Sequence, residues 1–222
     1  MNPLILHLET STKVCSVALS QNGILLSHLD QSSDGYIHGE VLTLMIQDVL
    51  QSAKVTLEQI HAISYSSGPG SYTGLRIGLS TAKGLCFALQ IPLIAIPTHL
   101  ALFELAKQNG LSSPTSVLAL LDARRTEVYM QIFDSEGNSQ GKVHCALLEN
   151  TSIAAFVPAF VVGDANEKAM TYWEQQNLTW INTKLSAQYQ ALPALTAFEN
   201  KTFEDLAYCS PIYLKGANGV LL

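Results

Sequence analysis

Hydrophobic and polar positions divide the chain into short apolar runs that read as strands and longer runs of helical period. Leu4 to Glu9, Val14 to Ser20 and Ile24 to Asp30 are three short apolar-rich runs, separated by Thr10-Ser11-Thr12-Lys13 and by Gln21-Asn22-Gly23. Asn-Gly between two such runs predicts a tight hairpin, so the second and third strands should be antiparallel neighbours. After a polar link containing Ser32, Ser33 and Gly35, a helix is expected from about Gly39 to Ala53. Seven of the ten residues from Val41 to Leu50 are apolar, a wider stripe than one core-facing side requires. A helix buried on one face by its sheet and on the other by a partner would read this way, and so would a helix sunk in a large core.

The pattern continues with a strand from Ile60 to Ser66, a glycine-bearing helix over roughly 72 to 88, a strand from Pro92 to Ile96 and a helix from Thr98 to Gln108. Asn109-Gly110-Leu111-Ser112-Ser113-Pro114 combines a helix stop with serines and a proline, and the domain junction is placed there. Residues 1–109 then form one lobe and 110–222 a second, with the tail able to return to the first. In the second lobe, Ser116 to Asp122 and Glu127 to Phe133 are strands, and Ser135-Glu136-Gly137-Asn138 turns into a third, Gly141 to Leu147. Phe160 to Gly163 is a short strand, Asp164 to Gln176 a helix capped by Asp164, Ser186 to Phe198 a helix interrupted by Pro193, and Pro211 to Lys215 extended. Each lobe opens with antiparallel strands and then alternates with helices, which predicts a duplicated α/β architecture.

The most unusual stretch is Ser66-Ser67-Gly68-Pro69-Gly70-Ser71-Tyr72-Thr73-Gly74-Leu75-Arg76-Ile77-Gly78, continuing through Lys83 and Gly84. Each glycine inside a helix costs about 1 kcal/mol relative to alanine, so close packing or a ligand must offset the loss. Gly74, Gly78 and Ala82 fall on one bare face. Two readings stay open: the helix presses on its own sheet, or a partner approaches its backbone. The stretch is not a known phosphate loop, because Gly68-x-Gly70-x-x reaches Thr73 rather than glycine and no Gly-x4-Gly-Lys-Ser/Thr occurs. Pro69, two residues before Ser71, excludes a Gly-x-Ser-x-Gly nucleophile elbow. The free amides of the helix start are open to an anion or to capping by Ser71.

Composition narrows the function. The 222 residues carry a net charge of −6 with only 12 lysines and arginines, and Arg124-Arg125 is the longest basic cluster. Such a chain lacks the footprint of a protein that grips nucleic acid unaided. Cys15, Cys86, Cys145 and Cys209 are scattered without a Cys-x-x-Cys pair and read as small hydrophobes in a reducing compartment. Met1-Asn2-Pro3 has no basic region before the first apolar run, and no run approaches membrane-spanning length. A soluble, cytoplasmic protein is the expectation.

Glu9-Thr10-Ser11, the run Gly68 to Arg76 with Gly78 and Lys83-Gly84-Leu85, and Asp122-Ala123-Arg124-Arg125-x-Glu127-Val128-Tyr129 together resemble the bacterial TsaB (YeaZ) family. Pro211-x-Tyr213-Leu214-Lys215 resembles the family's tail, with lysine where arginine is usual. Residues 135 to 205 carry little motif. The resemblance implies a two-lobe actin/Hsp70/sugar-kinase-like (ASKHA) α/β fold. It also implies a non-catalytic subunit that binds its paralogue TsaD, in a complex with TsaE that threonylcarbamoylates the adenosine beside the anticodon of certain tRNAs. No catalytic residue, cofactor or metal is expected, and tRNA would be met only through the complex. In the catalytic relatives a His-x-x-x-His metal motif follows the strand after the glycine helix, and alignment on Pro92 puts Thr98 and Leu102 at the ligand positions, neither of them an imidazole. His99 is adjacent but out of register. Asp122 and Glu127 are either an acid pair or, with arginines between them, parts of a salt-bridged turn, and Glu9 is a lone acid on the first strand.

The expected partner surface is built from the helix near 39 to 53 and the glycine helix, with Tyr36, His38, Val41, Met45, Val49, Tyr72, Gly74, Leu75, Gly78, Leu79 and Lys83 as its candidate residues. The alternatives are a metal-dependent peptidase or ATP-dependent transferase of the same fold, for which no catalytic constellation is visible, and a self-sufficient homodimer that uses the same helices.

Overall fold

The computed structural model describes residues 2–32, 37–111, 115–174 and 176–216. Its first sheet holds β1 (Leu4–Glu9), β2 (Val14–Gln21), β3 (Ile24–Ser32), β4 (Ala62–Gly68) and β5 (Leu93–Pro97). They lie in the order β3-β2-β1-β4-β5, antiparallel through the first three and parallel from β1 through β5. The second sheet holds β6 (Ser116–Asp122), β7 (Glu127–Phe133), β8 (His144–Leu147), β9 (Ala159–Val162) and β10 (Leu178–Ile181). Its order, β10-β9-β6-β7-β8, repeats the same arrangement: three antiparallel strands, then two parallel ones on the other side of the first. The duplication expected from the sequence is therefore strand for strand.

The helices are α1 (His38–Ala53), α2 (Tyr72–Leu89), α3 (Thr98–Gln108), α4 (Asn166–Trp173) and α5 (Ala191–Glu199). Alternation along β1 decides where they pack. Leu4, Leu6 and Leu8 meet Leu42, Met45, Val49 and Leu79 of α1 and α2, whereas Ile5 joins Ala101, Leu102 and Leu105 of α3 and Val117 and Ala119 of β6 in a core shared by both sheets. α3 lies between the sheets and is buried nearly all round, as its apolar composition requires. α4 covers the outer side of the second sheet through Ala169 and Trp173.

Several expectations shift. Asp164 does not cap α4: Ala165 holds that position without a side-chain bond, and the Asp164 carboxylate accepts the Asp122 N–H instead. The helix expected over 186 to 198 is a 3₁₀ turn, Ala187–Gln190, followed by α5, which places Pro193 in a first turn where its missing N–H costs nothing. β10 was not foreseen. The segment from Ser186 onward packs on the first sheet: Ala187 N–H donates to Ser16 Oγ, α5 lies against β1 and β5, and Glu204 N–H donates to Leu93 O. Cys15 and Cys86 are buried; Cys145 and Cys209 are half-buried thiols.

Candidate functional site

Helix α2 begins where the sequence is richest in glycine, and its geometry decides between the two readings of that stretch. Ser71 caps it, accepting the Gly74 N–H at 3.2 Å. A Cβ on Gly74 would overlap the Thr10 carbonyl oxygen, one on Gly78 the Thr10 hydroxyl, and one on Gly70 the Ser11 carbonyl. The bare face is occupied by the chain's own β1–β2 turn, and the expectation that Gly74 and Gly78 admit a partner is corrected accordingly. Gly84 is different, with nothing within 4 Å of its Cβ position.

The other expected surface residues divide the same way. His38, Met45, Val49, Leu75 and Leu79 are buried in the first lobe's own core and do not present a surface, because they lie on the sheet-facing sides of α1 and α2. Val41, Tyr72 and Lys83 are half-buried, and Lys83 Nζ donates to Cys209 O at 2.8 Å. Tyr36 lies outside the described residues. The outward faces are made by residues the sequence reading missed: Leu44 on α1, 57% exposed, and Thr73, Arg76, Ser80, Gly84 and Phe87 on α2, with Phe87 80% exposed. The signal was present as an aromatic ending a stripe of otherwise polar or small residues at i, i+3, i+7, i+11 and i+14.

Between the lobes runs a cleft of about 740 Å³, lined by the turns after β1 and β6, the start of α2, residues 182–185 and the tail from Ile212. Its first wall is internally satisfied. Glu9, fully buried at the end of β1, accepts from Ser11 N–H at 2.7 Å, from the Ser11 and Ser66 hydroxyls and from Gln190 Nε2 at 3.5 Å. The Ser11 amide, in the turn facing the cleft, is therefore already bound to a carboxylate. Burial pushes the Glu9 carboxyl up, against the hydrogen bonds from Ser11, Ser66 and Gln190.

Beside it, His7 is buried between Ser64 and Ser20 at 2.7 and 2.8 Å. The Ser64 hydroxyl donates to Gln190 Oε1 at 2.7 Å, so Ser64 accepts from His7 Nδ1–H and the neutral imidazole satisfies the chain. Burial lowers its pKa to about 3.

On the second wall, Asp122 and Glu127 are consumed in ion pairs, though not with the intervening arginines. Lys168 of α4 pairs with Asp122 at 2.8 Å, and Lys215 of the tail pairs with Glu127. Burial opposes the charge on Lys215, but the Glu127 carboxylate holds the ammonium above the ordinary lysine range. The Lys215 hydrogen bond holds Glu127 below the ordinary carboxylate range. Arg124 and Arg125 turn the chain in left-handed conformation, at φ 71° and 48°. The metal expected of catalytic relatives does not fit: Thr98 and Leu102 are buried, Leu102 in the core shared by both sheets. The His99 Nε2–H donates to the Tyr129 carbonyl at 3.0 Å, and burial lowers the His99 pKa to about 4. Among the described residues no group of three metal-binding side chains is gathered.

The family model described as "TsaD: tRNA N6-adenosine threonylcarbamoyltransferase" matches residues 36–210. The tRNA threonylcarbamoyladenosine biosynthesis protein TsaB of Escherichia coli (strain K12) is 36% identical over 135 residues, 60% of this chain and 56% of that protein. The chain thus spans about half the length of the curated relatives it matches. A Pseudomonas aeruginosa crystal structure titled as an uncharacterized protein with similarity to peptidase YEAZ superposes with TM-score 0.80 and 28% identity, over 96% of this chain and all of that one. The activator of the 2-hydroxyisocaproyl-CoA dehydratase from Clostridium difficile, with bound ADPNP, shares the fold alone, at TM-score 0.52 and 9% identity over 91% of this chain and 98% of that one.

Proposed function

Because the chain belongs to the family described as TsaD tRNA N6-adenosine threonylcarbamoyltransferase and, within it, to the TsaB/YeaZ group, we propose that it is a non-catalytic cytoplasmic subunit of tRNA threonylcarbamoylation. It binds its paralogue TsaD, in a complex with TsaE, and meets tRNA through that complex. Residues 1–109 form the partner-binding lobe and 110–222 the second lobe, whose C-terminal part returns to the first.

The observation that carries the proposal is the outward side of α1 and α2, where Leu44 of α1 remains exposed and Phe87 of α2 remains exposed three residues beyond a glycine with open space above it. A large aromatic left in water at the end of a helix marks an interface anchor better than scattered surface leucines do. Gly84 lets a partner helix approach the α2 backbone, the role the sequence had suggested for Gly74 and Gly78. Val41, Tyr72 and Lys83 border this face. The satisfied Ser11 amide, the paired Asp122 and Glu127, and Thr98 and Leu102 in place of histidines support the absence of independent catalysis.

Pull-down with TsaD of the same organism tests the surface. Phe87→Glu and Leu44→Glu should each weaken association roughly tenfold or more while leaving the melting temperature of the isolated chain unchanged. Unaltered association would refute the assignment. The same apolar face would serve a homodimer, and light scattering with and without TsaD separates the two: the proposal requires the heteromeric species to form at the expense of any dimer.

A further inference from the structure

The end of the described chain is fastened to both lobes within a few residues. On the first-lobe side, Ile212 N–H donates to Ser67 O at 2.7 Å. The Ile212 carbonyl lies so near Gly68 that any Cβ there would overlap it, and Gly68, at φ 104°, is in a conformation that favours glycine. Tyr213 stacks on Tyr72 with ring centroids 4.8 Å apart. Arg76 lies over the Tyr72 ring at 4.2 Å, and its Nε donates to the Tyr213 hydroxyl at 3.2 Å. On the second-lobe side, Lys215 is 8% exposed. Its ammonium donates to Ala123 O at 3.0 Å and pairs with the Glu127 carboxylate. Anchors included, Ile212 to Gly216 line the cleft.

We infer that residues 211–215 are a latch across the inter-lobe cleft: with Lys215 seated against Glu127 and Tyr213 against Tyr72, the walls at the cleft mouth are held at a fixed separation, and unseating either end lets the mouth widen about the core that the two sheets share. Chain geometry sets the limit. Ile212 and Lys215 are three residues apart, and an extended chain gains at most about 3.3–3.6 Å per residue. Their Cα atoms therefore cannot lie more than about 11 Å apart while both ends are fastened. The cleft behind the latch is in the size range of small-molecule sites, so the latch governs access to it. The inference rests on these contacts alone and stands whether or not a partner docks on α1 and α2.

Hydrogen–deuterium exchange on the full chain, read on residues 11–14 and 182–185, tests it together with small-angle scattering. These two segments line the cleft and hold none of the latch anchors. Lys215→Met removes the ion pair but keeps the stem, Lys215→Arg keeps the charge, and Tyr213→Ala loosens the other end. Lys215→Met and Tyr213→Ala are each expected to raise exchange severalfold in both segments and to enlarge the radius of gyration, with Lys215→Arg behaving as the parent. Exchange in β1 and β6 reports whether the lobes stay folded; if Lys215→Met disturbs them, Tyr213→Ala decides the matter. Faster exchange confined to residues 205–216, with cleft walls and radius unchanged, would overturn the latch.

Discussion

Gly74 and Gly84 stand ten residues apart on one helix and have opposite surroundings, so substituting them separates packing from helix propensity. Gly84→Ala fills open space and removes the flexibility of an exposed helical glycine, and should stabilise the chain by about 0.5–1 kcal/mol. Gly74→Ala drives a methyl into the Thr10 carbonyl and should cost about 1–3 kcal/mol. Thermal or urea unfolding of the two variants checks the contrast. The sequence placed glycines at helical spacing but not the segment lying against them, because the Thr10 turn is more than sixty positions away along the chain.

His7 and His99 belong to the same scale. Each is buried neutral, with a folded pKa pushed to about 3 and about 4 from an unfolded value of 6.5. The unfolded chain therefore binds the extra protons, and the stability held above pH 6.5 is lost as pH falls toward 4. With both histidines contributing, the slope approaches about 2.7 kcal/mol per pH unit near pH 5. Glu9, its carboxyl raised by burial, works in the opposite sense. Equilibrium unfolding at a series of pH values measures the slope, and His7→Gln should reduce it if the variant folds.

At the scale of elements, the strands of the first lobe and α1 to α3 were legible because each is bounded by a turn signal and carries an unbroken apolar pattern. Asn22-Gly23 is the clearest case: both residues adopt positive φ, 51° and 75°, as a tight hairpin between β2 and β3 demands. The C-terminal half was harder to read. Asp164 looks like a helix cap by residue type, but its carboxylate is drawn to the backbone of Asp122, 42 positions earlier. Leu178-Thr179-Trp180-Ile181 is too short to read as a strand without β9 beside it. Gln190, which nothing in the sequence singles out, is a buried clamp. Its amide donates to Leu8 O at 3.1 Å and to Ser66 Oγ at 3.0 Å, and its carbonyl accepts from Ser64. It thereby ties the returning C-terminal segment to the ends of β1 and β4. Gln190→Ala leaves several of these buried groups without a partner and should cost about 2–4 kcal/mol. Its circular dichroism should remain native-like while the denaturation midpoint falls; an unchanged midpoint would show the clamp to be dispensable.

For the whole molecule, the proposed partner surface was not legible residue by residue. The resemblance pointed to α1 and α2, yet seven of the eleven residues chosen there, from His38 to Leu79, turn inward. Apolar spacing finds the side of a helix that meets its own sheet; the side proposed to face a partner stands out instead as the exception on the polar face, Phe87 and Leu44. Charge belongs to this scale too. With a net charge of −6 and 12 basic residues, the isolated chain releases few phosphate counterions, so a mobility-shift titration should show only weak tRNA binding. Tight, salt-sensitive binding would contradict that expectation.

A reconstituted reaction with TsaD, TsaE, tRNA and the activated threonylcarbamoyl donor tests the proposal that this chain supports threonylcarbamoylation without catalysing it. Modified tRNA should appear with the complete set, fall to background when this chain is omitted or replaced by Phe87→Glu, and be absent when the chain is supplied alone. Product formed by the isolated chain, or undiminished product without it, would contradict the claim.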